Sequence, residues 1–275
     1  MESTWEPRGL PVRVSVIIPT YGRSSYLTEA VDSVKAQTWP AHQIIVVDDC
    51  SPEPVEVDDV LLLRHERNMG PAAARNTGLA HATGDLVLFL DDDDLLLPHR
   101  LETAVRELGD HRAHAMAVER FWEDHAYILP QRYEGDLRVS IAHVPHPGMG
   151  QTVFRREDVV EFDCRLRVAE DREWWLRMRH ACDFVWNDQV GMRVRTHPHA
   201  KPNDASYKCR LLIAERHLRT LDRPGRALLA RDVAAAALVA GESWATARWA
   251  AISLVAKPSV LAFKLLARSI IVTVK

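Results

Sequence analysis

The stretch Gly84-Asp85-Leu86-Val87-Leu88-Phe89-Leu90-Asp91-Asp92-Asp93-Asp94 constrains this chain more than any other. Leu86 to Leu90 is a short apolar run of the kind that makes a core strand covered on both faces. It ends in four adjacent carboxylates. These repel one another, so folding alone gives no reason to place them there. In open α/β sheets, ligands bind in the crevice beyond the carboxyl ends of the strands. Clustered hard oxygens at that place suit a divalent cation whose other ligands are phosphate oxygens. An ordinary reading stands beside this one: a solvated acidic turn that caps the next helix. That role suits Asp94 best, since it lies nearest Leu95-Leu96-Leu97-Pro98.

The first 110 or so residues alternate strand and helix. Val12 to Pro19 is a β-branched strand followed by Thr20-Tyr21-Gly22, and Ser24 or Ser25 can cap a helix running to about Gln37. Gln43 to Val47 is a second buried strand, closed by Asp48-Asp49, and Val60 to Leu63 is a third. Gly70-Pro71 opens a helix through His81, with Pro near the first helical position. The acidic strand follows, then a helix from about Pro98 to Leu108. Such alternation implies βαβ units and a mainly parallel sheet. The polar punctuation falls after the strands, so one crevice should collect it.

The segment from about 111 to 200 is less regular. It has strand-like pieces at Ala115 to Phe121, Thr152 to Phe154 and Val190 to Arg195, and a helix carrying Glu170-Asp171 and Trp174-Trp175. A Gly-rich run spans His146 to Gln151. Lys208 to Leu221 reads as helical, and Pro224-Gly225 marks a boundary. From Arg226 the tail is Ala- and Leu-rich and helical, with breaks expected at Gly241 and Pro258. From Ser243 onward it holds Arg248, Lys257, Lys264, Arg268 and Lys275 and no acid. Two readings stay open for it: a helix attracted to an anionic membrane face, or one packed on the domain or on a second copy, giving a homodimer. Three divisions follow: 11–110, 111–222, and 223–275 as a helical extension.

Composition excludes several classes. With 275 residues and 47% hydrophobic content the chain can bury a sizeable core. A net charge of −3 gives no reason to expect nucleic-acid binding. Cys50, Cys164, Cys182 and Cys209 are scattered without a CxxC pair, which fits a reducing cytoplasm and argues against zinc or a disulfide framework. The polar start, Met1 to Leu10, is not a signal peptide, and no apolar run approaches the ~20 residues of a spanning helix. The expected location is cytoplasmic, with the inner membrane face as the place for any peripheral contact.

Four stretches, VSVIIPTYGRSSYLTEAVDSVKAQ, IIVVDDCSPEP, NMGPAAARNTGLAHATGDLVLFLDDDD and AEDREWWLRM, occur in this order. Together they resemble the successive signatures of family 2 glycosyltransferases with the GT-A fold, over roughly residues 12 to 200. The resemblance implies a Rossmann-like mixed sheet flanked by helices, here with a C-terminal helical tail, with 11–110 as the nucleotide-sugar-binding half, 111–222 as the acceptor-binding and catalytic half, and the Gly-rich His146 to Gln151 on the acceptor side. It implies sugar transfer from a nucleotide-diphosphate donor, with Mg²⁺ or Mn²⁺ and inversion at the anomeric carbon. Asp91-Asp92-Asp93 matches the family's DxD motif: Asp93 takes the metal contact, while Asp91 and Asp92 bind ribose hydroxyls or metal-bound water, which makes Asp91 a further metal candidate. Pro19, Thr20 and Tyr21 match the loop that holds the base. Asp49 matches the acid that accepts a hydrogen bond from it, a pairing that uracil or thymine N3–H satisfies, so a UDP- or dTDP-sugar is favoured. The family usually has Gly where this chain has Cys50, which bears on the turn and not on the acid. Arg75 either reaches the diphosphate, buttresses the Asp cluster or is a helix-surface arginine. Asp171 matches the general base, and two acids in a first helical turn also favour the helix dipole. His197 matches a residue that approaches the metal or diphosphate in some relatives, although a lone His is more often structural.

The expected partners are therefore a nucleotide-sugar donor and a glycan, lipid-linked or small-metabolite acceptor. The rivals are a sugar nucleotidyltransferase and a catalytically silent nucleotide-sugar-binding module.

Overall fold

The computed structural model describes residues 11–123, 125–128, 147–178, 183–196, 204–256, 259, 261–262 and 264–266. Two compact units divide the chain. The first comprises 1–137, 147–164 and 178–198, and the second 138–146, 165–177 and 199–275. The sequence-based divisions at 110/111 and 222/223 do not coincide with these. Strands from both sides of residue 110 share one sheet, and the helix that bears Asp171 groups with the tail.

Among the described residues, the first unit is built on a nine-stranded mixed sheet. Its strands are β1 (Val14–Thr20), β2 (Gln43–Asp48), β3 (Leu61–Arg64), β4 (Leu86–Phe89), β5 (Leu95–Leu96), β6 (Ala113–Trp122), β7 (His125–Ile128), β8 (Thr152–Arg155) and β9 (Phe184–Arg195). The order is β3-β2-β1-β4-β8-β6-β9-β5, with β7 on β6. β3, β2, β1 and β4 run parallel, β8 is antiparallel to β4, and β9 is parallel to β6. β1 and β4 are buried along their whole length, as the unbroken apolar run of β4 and the largely apolar one of β1 require. The core gathers Val14, Val16 and Ile18 of β1, Val46 of β2 and Leu86 and Leu88 of β4, with Leu27, Val31 and Val34 of helix α1 (Ser24–Lys35).

Helix α2 (Pro71–His81) lies close against β1, because Gly78 presents no side chain there: a Cβ at Gly78 would stand 2.3 Å from Ile17 Cγ2. Helix α3 (Arg100–Glu107) starts later than the sequence suggests, because Leu95-Leu96 is not a helix opening but β5, paired antiparallel with β9. Neither α1 nor α3 has a side-chain cap at its N-terminus; the cap positions are Arg23 and His99. Arg100 is fully buried and donates to the carbonyls of His114 at 3.0 Å and Gln151 at 2.7 Å, which ties α3 to β6 and to the turn before β8. Gln151 itself turns into the core and donates to the Met116 carbonyl at 3.2 Å.

The second unit is helical: α4 (Glu170–Met178, of which 170–177 belong here), α5 (Asp204–His217), α6 (Arg223–Val239) and α7 (Ser243–Ala256). Pro224-Gly225 falls in the first turn of α6, where Asp222 caps the helix by accepting from the Gly225 N–H at 2.9 Å. Gly241, at φ +79°, makes the turn into α7, and Ser253 of α7 donates to the Ala227 carbonyl of α6 at 2.9 Å. Residues 226–256 thus form a helical hairpin with its own core of Ala227, Leu229, Ala230, Val233, Trp249 and Ala250. Among the described residues, no helix is long and apolar enough to cross a membrane. Pro258 and residues 267–275 lie outside the described residues.

Candidate active site

Four parallel strands deliver their carboxyl ends to one edge of the sheet. Thr20 stands opposite Asp48, Asp48 opposite Arg64, and Ile17 opposite Phe89. The loops that follow β1, β2, β3 and β4 are therefore neighbours. Pro19 and Thr20 are the last residues of β1 itself and are buried; Tyr21, half exposed, begins the loop.

Each member of the acidic run has a distinct surrounding. Asp91 is the open one, with its side chain 45% exposed, and it accepts from Arg75 Nη2 at 2.7 Å. Arg75 is not a surface residue: it is buried on α2, with its guanidinium 5.5 Å from the Phe162 ring centroid. Asp92 is buried and accepts from the Thr20 hydroxyl at 2.7 Å. Burial pushes its carboxyl up, against that hydrogen bond and the charge of Arg23. Arg23 spans the cluster, reaching Asp92 Oδ1 at 3.3 Å and Asp93 Oδ2 at 2.5 Å. Asp94 turns away. It accepts from the Arg195 backbone N–H on β9 at 2.9 Å, so it anchors a strand and does not cap α3. Burial, reinforced by Asp91 and Asp93, holds its carboxyl well above the usual range. Arg195 also donates to the Asp93 carbonyl at 3.1 Å and lies over Tyr26, 4.5 Å from the ring centroid.

The carboxyl end of β2 is tied as closely. Asp48 pairs with Arg64 and accepts from the Ser51 N–H at 2.8 Å. Asp49 accepts from the Met69 N–H at 2.8 Å, the Gly70 N–H at 2.6 Å and His65 Nδ1 at 2.7 Å. In this arrangement Asp49 holds the loop that leads into α2. His65 Nε2 lies 2.9 Å from the Thr77 hydroxyl and so bridges that loop to α2. Cys50 adopts φ +63°, the left-handed conformation that glycine favours, so the turn keeps its shape with a side chain present.

Asp171 belongs to the second unit, in the first turn of α4. Ala169, just before that turn, is held at φ +60°. Backbone strain of this kind persists only where the surroundings over-determine it. Two ties fix α4 beside Asp171. Arg172 pairs with Asp232 of α6. Glu173, buried, accepts from Arg177 Nε at 2.9 and 3.0 Å and stands 3.2 Å from His217 Nε2 on α5. Burial alone would raise the Glu173 carboxyl, yet the His217 and Arg177 contacts outweigh it and hold it below its ordinary value. Trp174 and Trp175 are buried edge-to-face, their centroids 5.2 Å apart. His197 lies outside the described residues.

Arg23, His65 and Arg195 are members of this site that sequence reading missed. Arg23 had a signal: adjacent carboxylates near a strand end need cations, and the loop after β1 supplies one. Arg195 had none, since its place depends on β9 meeting the acidic turn 101 residues away.

A family model described as Glycosyl transferase family 2 matches residues 15–184. This chain belongs to that family. Among its relatives is an uncharacterised glycosyltransferase of Haemophilus influenzae, 38% identical over 189 residues, covering 62% of this chain and 64% of that protein. Another is YwdF of Bacillus subtilis, 28% identical over 183 residues, with 60% and 68% coverage. In solved structures, the chain has the GT-A fold of TarS from S. aureus (TM-score 0.63, 19% identity, 95% of this chain and 53% of that one). It is also similar to the mannosyltransferase PcManGT from Pyrobaculum calidifontis (TM-score 0.57, 22% identity, 97% and 81% coverage), solved with GDP-Man and Mn²⁺. The match thus spans about two-thirds of the first relative and about half of TarS.

Among the described residues, no group of three or more His, Cys, Asp or Glu is arranged to enclose a metal ion. The donor set nonetheless fits one of the type Mg²⁺ prefers: one or two carboxylates, with substrate phosphates completing the shell. Asp91 offers a hard, solvent-facing carboxylate, and Asp93 lies two residues on in the same turn.

Proposed function

We propose that this family 2 chain transfers a sugar from a nucleotide-diphosphate donor to an acceptor hydroxyl, with inversion at the anomeric carbon. The observation that carries this reading is the gathering of Thr20, Arg23, Arg75 and Asp91 to Asp93 beyond the carboxyl ends of β1 and β4. Three acids held by two arginines and a hydroxyl make a polar platform of the kind a diphosphate and its counter-ion need. Asp91 and Asp93 would hold Mg²⁺ or Mn²⁺, which when bound neutralises charge on the leaving diphosphate. Arg75 keeps Asp91 oriented, and Thr20 does the same for Asp92. Asp92 is assigned to the ribose, and Pro19 and Tyr21 to the wall of the base pocket. Asp171 takes the acceptor proton as the acceptor oxygen bonds to the anomeric carbon and the bond to the diphosphate breaks. His197 keeps its place as a candidate near the metal.

The donor base is proposed as uracil or thymine, because Asp49 Oδ2 carries one hydrogen bond and has capacity for another from N3–H. UDP and UDP-GlcNAc complexes of TarS are consistent with this choice, while PcManGT was solved with GDP-Man. Calorimetry with UDP, dTDP, GDP and ADP tests it, and preference for GDP would overturn it. The metal assignment is tested by nucleotide affinity with Mn²⁺ and with EDTA. Mn²⁺ should strengthen binding in wild type and lose that effect in Asp93→Ala; equal strengthening in both would refute it. A sugar nucleotidyltransferase would instead release pyrophosphate, and a silent module would not hydrolyse donor at all. We further place the protein in the cytoplasm, attached peripherally to an anionic membrane face by its tail.

A further inference from the structure

The second unit holds a cavity of about 260 Å³ lined by Ser206 and Arg210 of α5 and by Asp232, Ala235, Ala236 and Val239 of α6. Its polar side carries one guanidinium, one hydroxyl and one carboxylate. Arg210 Nε donates to the Ser206 hydroxyl at 3.1 Å, so serine and arginine are already oriented together. The Asp232 carboxylate is taken up by Arg172, and Arg231 Nε stands 3.6 Å from its other oxygen. Arg210 and Arg231 are near enough to Arg172 that, with burial as the larger cause, they bring its guanidinium down to about 10. Among the described residues, the guanidiniums of Arg172, Arg210 and Arg231 lie near the carboxylates of Asp232 and Asp171. A charge imbalance in a partly buried place is costly unless a counter-charge completes it. The opposite wall is apolar, made of Ala235, Ala236 and Val239.

We propose that this cavity is a binding site for an organic phosphate, with the oxyanion on Arg210 and Ser206 and the organic part against the Ala235, Ala236 and Val239 wall. A guanidinium suits a phosphate because its planar fork offers two parallel N–H donors. Asp232 sets the specificity. It holds Arg172 and Arg231 in place and disfavours ligands whose negative charge would extend to its side of the cavity. The bland alternative is an ion-pair network that only joins α4, α5 and α6. That network would give no reason for a lined cavity beside an arginine whose hydrogen bond goes to a serine. The site works whether or not Asp171 is the base of a transfer reaction, so the two readings stand or fall apart.

The test uses the full chain, with inorganic phosphate and glycerol 3-phosphate as probes, read by ³¹P line broadening and by thermal shift. Both probes should bind at millimolar concentration, with glycerol 3-phosphate the tighter. Arg210→Gln should weaken both by ~10-fold or more, the range for loss of a charged hydrogen-bond donor. Arg106→Gln, at an exposed arginine of α3, should leave this binding intact, and Arg23→Gln reports any share of the signal that comes from the first unit. If Arg210→Gln does not fold by circular dichroism, Ser206→Ala decides on the same criterion with a smaller loss. Phosphate binding that is equal in wild type and the α5 variants, absent from wild type, or abolished only by Arg23→Gln overturns the proposal.

Discussion

At the residue scale, the acids that the sequence singles out differ in what holds them. Asp94, beside Asp93 in sequence, and Asp49, at the end of β2, both accept from backbone donors, and Asp49 Oδ2 keeps capacity for one more hydrogen bond. Asp91 faces solvent, and Asp171 sits in a first helical turn braced on both sides by ion pairs. Removing a general base costs ~10²–10⁴ in rate. Asp171→Asn should therefore bind donor almost as wild type does and turn over at least ~100-fold more slowly, measured as steady-state transfer or donor hydrolysis beside calorimetry of the donor. A wild-type kcat would remove Asp171 from the mechanism. The resemblance had pointed to Asp91, Asp93 and Asp171 by motif. It could not show that Arg23 and Arg75 hold two of them, because those pairings join residues far apart in the chain.

At the element scale, the packing of α2 on β1 positions Arg75, which α2 carries, and the loop into α2 that Asp49 holds. The spacing of α2 and β1 depends on Gly78, where an added methyl would meet Ile17 Cγ2 at 2.3 Å. In an exposed helix, Gly→Ala stabilises by ~1 kcal/mol. Here the clash should win, because Ile17 is fully buried and stiff at χ1 and has nowhere to go. Overpacking of this kind costs ~1–3 kcal/mol. Gly78→Ala should thus lower the urea midpoint without changing the slope; an unchanged or higher midpoint would show that α2 can lift off the sheet cheaply. The helix periods and strand runs were readable from hydrophobic pattern and caps. β5 was not, since two leucines before a proline carry no strand signal of their own and acquire one only by pairing with Arg193 and Met192.

At the scale of the whole molecule, pH and surface chemistry give two further expectations. His114 is fully buried on β6, and burial first, then Arg100, brings its imidazole down to about 4. A lowered folded-state value means that the unfolded chain binds more protons between about pH 6.5 and 4. Stability is then lost as pH falls through that window, by at most about 3 kcal/mol. The raised carboxyls of Asp92 and Asp94 act in the opposite direction, so the informative quantity is a difference. Wild type minus His114→Gln, followed by melting temperature from pH 7.5 to 5, should fall as pH falls; a flat difference would mean that the imidazole is not buried neutral. On the surface, α7 exposes Trp244 (80%) and Val255 (76%), with Arg248 on the same face, and the chain from Ser243 on has five basic residues and no acid. Because α6 and α7 share a core, substitution is a cleaner probe than truncation. Trp244→Ser with Arg248→Glu should reduce co-sedimentation with anionic vesicles and leave neutral vesicles unaffected. Each basic residue near such a surface contributes ~1 kcal/mol, so binding should also weaken with salt. Salt-independent sedimentation, equal in both forms, would favour a tail that serves packing alone.

The sequence by itself determined the βαβ half, the acidic strand end and the family, because each rests on a local pattern: a run of apolar residues, a turn, a motif at short spacing. The alternating strands also fixed that their polar ends share one edge, since parallel strands joined by helices deliver their carboxyl ends together. Only the tertiary structure decided the counter-ions of the acids, the anchoring of Asp94 by β9, the grouping of α4 with the tail and the cavity between α5 and α6. These depend on contacts between segments tens of residues apart. No local preference of Arg23, Arg172 or Arg195 encodes which carboxylate it will meet; packing of the buried strands and helices sets the distance, and charge then selects the partner.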